Sequence, residues 1–303
     1  MFKKSWKHIG LMLVLALTLV LAACGDDSAD TDGDSDEDTG NLGETEIELA
    51  YVEWDSEIAS TNVLALVLEE AGYDVDVTGL DNAIMWEAVA NGDADGMVAA
   101  WLPGTHGDLY EANKDSLVEL GVNLEGAKIG LVVPAYMEDV NTIGDLADHT
   151  EAFDGKITGI EPGAGVVQAA EQALEDYDLA DWEVQTSSSG AMTTTLDQAY
   201  SNEEPIVVTG WTPHWKFAAY DLKYLEDPEG TFGGAETIET MVREGFEEDS
   251  PAAYQIMDNF YWEADDMQSV MLEMSEGADP EEAAANWIEN NRDAVDEWLE
   301  GVE

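Results

Sequence analysis

The stretch KITGIEPGAGVVQAAEQALEDY, residues 156–177, contains the pattern that decides the fold. Lys156–Ile160 is predicted to form a buried strand, and Val166–Tyr177 has the apolar spacing of a helix. The Gly-rich turn PGAG, Pro162–Gly165, connects the two. Short apolar strands and helices alternate in this way along most of the chain, which predicts an α/β fold with mostly parallel sheets flanked by helices.

The remaining elements divide into two such series. Further strands are predicted at Glu46–Val52, Val75–Val77, Gly96–Trp101, Lys128–Pro134 and Pro205–Thr209. Beyond about Ala235 we expect mostly helix, ending in Glu281–Leu299. Two series of strands predict two lobes, the first from residues 46–134 and 236–303 and the second from residues 135–235.

The first 23 residues are predicted to be a secretory signal. Lys3, Lys4 and Lys7 precede the apolar run Leu11–Leu21, which is too short to span a membrane. The sequence Leu-Ala-Ala-Cys that follows resembles a bacterial lipobox, in which cleavage leaves a lipidated cysteine as the first residue. Because Cys24 is the only cysteine of the chain, we expect it to anchor the protein to the outer face of the cell membrane. An ordinary signal peptide with an incidental cysteine is the alternative.

Residues 24–45 read as an acidic tether. The segment GDDSADTDGDSDEDTGNLGE has no aromatic residue and too little apolar surface to form a core, so we expect it to be disordered and extended by self-repulsion. A calcium site is the alternative, but the spacing of an EF-hand loop is absent.

The composition limits the possible functions. The chain has 303 residues, with 10 Lys and Arg, 68 Asp and Glu and a formal net charge of −58. Such a charge repels nucleic acid and anionic membranes, which excludes electrostatic binding to either. Self-repulsion is screened within about 3 Å at 1 M salt but acts over about 30 Å at 0.01 M. We therefore predict an extracellular protein that works in concentrated salt; an ordinary acidic secreted protein is the alternative.

Three tryptophans stand where predicted strands end: Trp54, Trp101 and Trp211. Ligands of open α/β sheets bind at the carboxyl ends of strands, so these side chains meet if the two lobes face each other. Aromatic faces attract cations that have no N–H to donate, and cages of aromatic rings bind quaternary ammonium groups. The three tryptophans therefore predict a cage for such a cation.

A second set of residues could bind an anion. The PGAG turn starts a helix, and the free backbone N–H groups of Gly165 and Val166 would attract a carboxylate. His106 could add a further donor. A cage for a cation beside a site for a carboxylate indicates a zwitterion such as a betaine.

The other tryptophans carry less information. Trp287, Trp298 and Trp262 are assigned to the core, the first two because apolar neighbours flank them at helical spacing. Trp215 and His214 are interpreted as structural. Two are left undecided, Trp86 and Trp182.

Several motifs together resemble one family. They are WDSEIAST (54–61), MVAAWLPGTH (97–106), KIGLVVPAYM (128–137), GIEPGAG (159–165), SSSGAMT (187–193) and VVTGWTPHW (207–215). Across nearly the whole mature chain they are similar to the extracellular substrate-binding subunits of glycine betaine/proline betaine ABC importers.

The resemblance implies a periplasmic-binding-protein fold whose two lobes close on the ligand. It implies that Trp54, Trp101 and Trp211 surround the trimethylammonium group. It further implies a membrane permease with a cytoplasmic ATPase as partner, a monomer, no cofactor, no metal and no chemical step. The departure from the family is the acidic surface, which could alter docking to the permease.

For the carboxylate of the ligand, the resemblance implies the backbone amides of Gly165 and Val166 and the side chain of His106.

Other functions remain open from the residues. The same receptor could bind choline, carnitine or ectoine, and choline would leave the carboxylate site unused. A hydrolase could use Ser187–Ser189 with His106 or His214, but the Gly-x-Ser-x-Gly elbow is absent. A metal enzyme lacks the His-Glu-x-x-His motif. A structural or adhesive surface protein is the last class.

Overall fold

The computed structural model of the protein describes residues 42–302. The predicted signal, the predicted lipidation at Cys24 and most of the acidic tether lie outside these residues. Within them, no helix combines the length and the apolar character needed to cross a bilayer.

The described chain contacts the fold from its first residues. The Leu42 carbonyl accepts a hydrogen bond from the Tyr73 hydroxyl at 2.9 Å. The Glu44 N–H donates to the Asp249 carbonyl at 2.7 Å. These contacts begin before residue 45, where the predicted tether ends.

Nine strands in the described residues form one mixed sheet. They are β1 Glu46–Tyr51, β2 Asp74–Gly79, β3 Gly96–Leu102, β4 Leu117–Pro134, β5 Lys156–Thr158, β6 Glu183–Gln185, β7 Val208–Thr212, β8 Leu222–Tyr224 and β9 Glu236–Arg243. The order is β2-β1-β3-β9-β4-β7-β5-β6, and β8 pairs with β4. The pairs β1–β2, β1–β3, β5–β6 and β5–β7 are parallel, whereas the pairs made by β4 and β9 are antiparallel.

Strand β4 is shared by both parts of this sheet. Its residues Leu117–Ala127 pair with β9, and Lys128–Val132 pair with β7. We call β1, β2, β3, β9 and the first part of β4 the first half-sheet, and the second part of β4 with β5–β8 the second half-sheet. The change of partner falls within β4, ahead of the predicted lobe boundary at residue 134.

Two predicted elements differ from the structure. Lys128–Pro134 is only the end of a longer strand, and the strand expected at Pro205–Thr209 starts later, at Val208. The expectation of mostly helix directly after Ala235 is wrong for β9, in which buried and partly exposed residues alternate. Its buried positions include Glu236 and Thr240, so the alternation is not visible as an apolar pattern.

The helices lie between and after the strands. They are α1 Asp55–Glu70, α2 Asn82–Asn91, α3 Gly107–Asn113, α4 Gly165–Asp176, α5 Ser189–Ser201, α6 Lys216–Ala219, α7 Phe246–Asp249, α8 Pro251–Asn259, α9 Ala264–Ser275, α10 Pro280–Asn290 and α11 Arg292–Trp298, with 3-10 turns at Lys114–Ser116 and Ile143–His149. Local sequence explains several ends. Gly92 adopts a left-handed conformation that terminates α2, and Ser188 caps α5 through a bond to the Ala191 N–H.

The C-terminal helices bury the tryptophans that were assigned to the core. The rings of Trp287 and Trp298 stack with centroids 5.6 Å apart. Trp262 meets Trp287 edge-on at the same separation. All three side chains are buried, so the prediction of a core role is confirmed.

Candidate ligand-binding site

The three predicted cage tryptophans line one cavity. Trp54 precedes α1 as its N-cap residue, Trp101 lies in β3 and Trp211 lies in β7. The cavity holds about 250 Å³ of space not occupied by atoms. Its other walls are Thr105, Ile129, Ile160 and Val166. The site therefore joins residues of both half-sheets in an apolar pocket.

The cage rings are almost completely buried. Trp54, Trp101 and Trp211 are 5%, 1% and 3% exposed. The rings of Trp54 and Trp211 have centroids 6.4 Å apart and planes inclined by 47°. At this separation the two rings lie side by side in the wall of the cavity.

Carboxylates hold the two tryptophans of the first half-sheet. The Trp101 indole N–H donates to Glu57 Oε1 at 2.6 Å. The Trp54 indole N–H donates to Glu161, which belongs to the turn before α4. Hydrogen bonds to a charged acceptor are stronger than neutral ones and fix both ring orientations.

Trp211 has different neighbours. Its indole N–H has no hydrogen-bond acceptor among the described residues. The Lys216 ammonium nitrogen lies 4.2 Å from the ring centroid and is itself buried without a hydrogen-bond partner in this part of the chain. Burial lowers the pKa of Lys216 well below its usual range, although the Asp55 carboxylate opposes the shift. The amine beside this ring is therefore held toward its neutral form.

The predicted anion-binding residues lie at one edge of the cavity. Gly165 and Val166 are the first two residues of α4, whose first-turn N–H groups cannot bond within the helix. Val166 lines the cavity, whereas Gly165 borders the neighbouring cleft. A Cβ on Gly165 would lie 2.4 Å from the Thr105 carbonyl oxygen, so only glycine allows α4 to approach the loop after β3 this closely.

His106 stands behind the cage. Its ring stacks on Trp54 at 5.6 Å between centroids and meets Trp86 edge-on at 5.7 Å. Burial lowers its pKa to about 3. Nδ1 accepts the Trp101 backbone N–H at 3.1 Å. The neutral ring therefore carries its proton on Nε2, which has no hydrogen-bond partner among the described residues.

Glu236 shapes the loop that leads to His106. Its carboxylate accepts hydrogen bonds from the backbone N–H groups of Gly104 and Thr105 at 2.7 and 2.6 Å and from the Thr105 hydroxyl. The loop between β3 and α3 is thus fixed from the start of β9. Sequence reasoning missed Glu236, because the strand that carries it was not predicted.

Asp55 connects the two half-sheets beside the cage. It accepts hydrogen bonds from the Ser189 hydroxyl at 2.7 Å and from the Trp215 indole N–H at 3.1 Å. His214 Nε2 lies 3.7 Å from the same carboxylate. Trp215 and His214, interpreted as structural, therefore take part in the contact between the half-sheets. The two tryptophans left undecided do not line the cavity: Trp86 is fully buried, and Trp182 donates to the Thr150 hydroxyl.

Comparison with known proteins identifies the family. The model of the substrate-binding domain of ABC-type glycine betaine transport systems, OpuAC, matches residues 45–290. The glycine betaine/carnitine transport binding protein GbuC of Listeria monocytogenes is 54% identical over 158 residues, which are 52% of this chain and 53% of that protein. The match therefore spans about half the length of this curated relative.

Two solved structures share the fold. Lactococcal OpuAC in its closed-liganded conformation with glycine betaine has a TM-score of 0.81 and 51% identity, covering 85% of this chain and 100% of its own. A choline-binding protein of an ABC transporter in complex with choline has a TM-score of 0.79 and 29% identity, covering 85% and 92%. The fold is thus the α/β periplasmic-binding-protein fold. The chain belongs to the family of substrate-binding domains of ABC-type glycine betaine transport systems.

Proposed function

We propose that this protein is the extracellular receptor of an ABC importer and binds glycine betaine in the cavity between Trp54, Trp101 and Trp211. The observation that supports this most is the meeting of three tryptophans from both half-sheets in one apolar cavity. A cation–π contact with a desolvated ring contributes about 2 kcal/mol, so three rings account for a substantial part of the binding free energy.

The carboxylate of the ligand would bind at the start of α4. The first-turn N–H groups of Gly165 and Val166 and the helix dipole favour an anion there. His106 Nε2–H is an additional donor without a partner in the described chain. These groups favour a betaine over choline, which has no carboxylate to accept their hydrogen bonds.

Carnitine and choline are the second candidates. GbuC is named for glycine betaine and carnitine, and the choline-binding protein was solved with choline. Both ligands carry the same trimethylammonium group, so the cage alone does not distinguish them. Ectoine lacks a trimethylammonium group, so we expect it to bind weakly.

The test is ligand-dependent thermal unfolding of the chain without its predicted signal, followed by tryptophan fluorescence. A ligand that binds only the folded state raises the unfolding temperature by mass action. We expect the largest rise with glycine betaine and a smaller one with choline at equal concentration. No rise with any trimethylammonium ligand, in protein that unfolds cooperatively, would refute the proposed function.

We further propose that the two half-sheets act as lobes that close on the ligand, with the protein as a monomer and without a chemical step. Contacts such as those of Asp55 form only when the lobes meet, so the ligand would shift a population toward the closed form. Scattering in solution with and without glycine betaine would test closure. An unchanged radius at saturating ligand would contradict it.

The remaining proposals concern the surroundings of the receptor. We propose lipidation at Cys24, delivery to a membrane permease with a cytoplasmic ATPase, and function in concentrated salt. A Cys24→Ser variant that stays membrane-bound would refute the anchor. The net charge of −58 predicts that the unfolding temperature rises between 0.1 and 2 M NaCl, because salt screens self-repulsion.

A further inference from the structure

Glu57 is a buried carboxylate that contacts the cage through the Trp101 indole and forms no ion pair among the described residues. It lies in the first turn of α1, three residues after Trp54 in the sequence, and is 0% exposed. Its Oε1 accepts the Trp101 indole N–H at 2.6 Å and the Ser56 hydroxyl at 3.3 Å. Its Oε2 has no hydrogen-bond partner in the described residues, and none of the ion pairs formed there includes Glu57.

Such a group is costly unless a positive charge compensates it. Burial raises the pKa of Glu57 to about 7, and the bonds from Trp101 and Ser56 oppose this only in part. A neutral amide or a backbone carbonyl could also accept the indole N–H. The presence of an ionisable carboxyl group with one unpartnered oxygen therefore requires an explanation separate from the orientation of Trp101.

Glu161, the carboxylate that accepts the hydrogen bond of Trp54, does not need a compensating positive charge in the same way. Glu161 accepts the Trp54 indole N–H but is partly exposed, so water screens its charge. Glu57 has no such screening, and its only charged neighbour in a working complex would be the ligand itself.

We propose that Glu57 is a positioning and specificity-determining residue that orients Trp101 and supplies the buried negative charge neutralised by the quaternary ammonium of the ligand. This inference rests on the proposed function, since it needs a cationic ligand in the cage. It adds a negative charge to the attraction that the ring faces already exert on a cation, so part of the preference for a charged ligand over a neutral one of the same shape should depend on Glu57.

The test compares two ligands of the same shape. In 3,3-dimethylbutanoate a carbon atom replaces the quaternary nitrogen of glycine betaine, so shape and carboxylate stay while the positive charge is lost. The Glu57→Gln variant keeps an acceptor for the Trp101 N–H and removes the charge. We expect it to bind glycine betaine about tenfold more weakly than the wild type, which corresponds to about 1.4 kcal/mol, and to bind 3,3-dimethylbutanoate at least as well.

The matched control is Glu87→Gln, which removes one negative charge at an exposed position of α2. We expect its affinity for glycine betaine to stay within twofold of the wild type. An equal loss with both ligands in Glu57→Gln would mean that Glu57 has only a structural role. Unchanged affinity for glycine betaine would overturn the proposal altogether.

A second measurement uses the wild type and does not need the neutral ligand. A cation bound near Glu57 favours its ionised form, so binding should release a fraction of a proton at pH values close to the raised pKa of Glu57, about 7. Calorimetry of the wild type in two buffers of different ionisation enthalpy measures this release, which should vanish in Glu57→Gln. Binding of glycine betaine without proton release would refute the proposal, whereas absence of any binding would refute the proposed function instead.

Discussion

Trp101 and Trp211 occupy equivalent places in the two half-sheets but have opposite electrostatic surroundings. Each is the last but one residue of its strand, and each is followed after one residue by proline. The Trp101 indole N–H donates to the buried Glu57 carboxylate. Trp211 has no acceptor for its N–H among the described residues and has the Lys216 amine 4.2 Å from its ring centroid.

The carboxylate at Trp101 and the amine at Trp211 should have opposite effects on the binding of a cation. A negative group bonded to the edge of a ring adds to the attraction of that ring for a cation, whereas an ammonium on a ring face competes with the ligand for the same electrons. Burial lowers the pKa of Lys216, which reduces this competition. On the proposed function, the first half-sheet would contribute two rings, the Glu57 carboxylate and His106, and the second would contribute one ring and the first-turn N–H groups of α4.

The largest expected effect is the loss of a cage ring. Trp211→Ala should weaken glycine betaine binding by about a hundredfold, because a desolvated cation–π contact and the burial of the methyl groups are both lost. Titration followed by the fluorescence of the remaining tryptophans measures it. Trp182→Phe, which changes a tryptophan that does not line the cavity, is the control. Affinity within threefold of the wild type in Trp211→Ala would contradict the cage.

Glu57 should also affect stability, with a sign opposite to its effect on binding. Its pKa is raised to about 7 in the folded protein, so the fold gains stability below the unfolded pKa near 4.3 and loses it as the pH rises through about 7. Without ligand, the stability of Glu57→Gln relative to the wild type should therefore rise by about 2 kcal/mol between pH 5 and pH 8. Denaturant titrations at pH 5 and pH 8 measure it, and the difference should shrink at pH 5.

A change at Asp55 would act on the contact between the two half-sheets. Asp55→Asn weakens the bonds from Ser189 and Trp215 that join the half-sheets, so the closed form should be less populated. We expect about tenfold weaker binding of glycine betaine and choline alike. A loss confined to one ligand would show that Asp55 acts on the ligand rather than on closure.

The smallest expected effect is at Lys216. Lys216→Met removes the amine beside Trp211 and should strengthen glycine betaine binding by only about twofold at pH 7, since burial lowers the pKa of this amine and so weakens its repulsion of a cation.

The same variant should change the pH dependence of stability. Because the folded pKa of Lys216 is lowered, unfolding takes up a proton below the unfolded pKa near 10.4. Wild-type stability should rise from pH 7 toward pH 10, and Lys216→Met should lack this part of the rise. Parallel pH profiles for the two proteins would contradict a buried, neutral Lys216.

The cage could be predicted from residue types and the ends of strands. Trp54, Trp101 and Trp211 each follow an apolar run that identifies a strand, and strand ends meet at one edge of a sheet. This argument uses only residue types and strand positions and needs no side-chain geometry. The structure agrees with it, since all three tryptophans line one cavity. Their roles toward a ligand remain a prediction until binding is measured.

The supporting carboxylates could not be predicted. Glu57 and Glu236 are two acids among 68, and an acid on a helix or strand is normally exposed. Their burial depends on donors that lie far away in the sequence, such as the N–H groups of Gly104 and Thr105 for Glu236. For the same reason β9 was missed, because a buried acid breaks the apolar pattern.

The pairing between β4 and β9 makes the second half-sheet an insertion. Ala127 and Glu236 are cross-strand neighbours. The chain therefore leaves the first half-sheet and returns to it at two residues that lie opposite each other. The segment between them, residues 128–235, includes Trp211 and the start of α4, and its two ends are adjacent. A segment with adjacent ends can be replaced as a unit while Trp54, Trp101 and Glu57 stay in place.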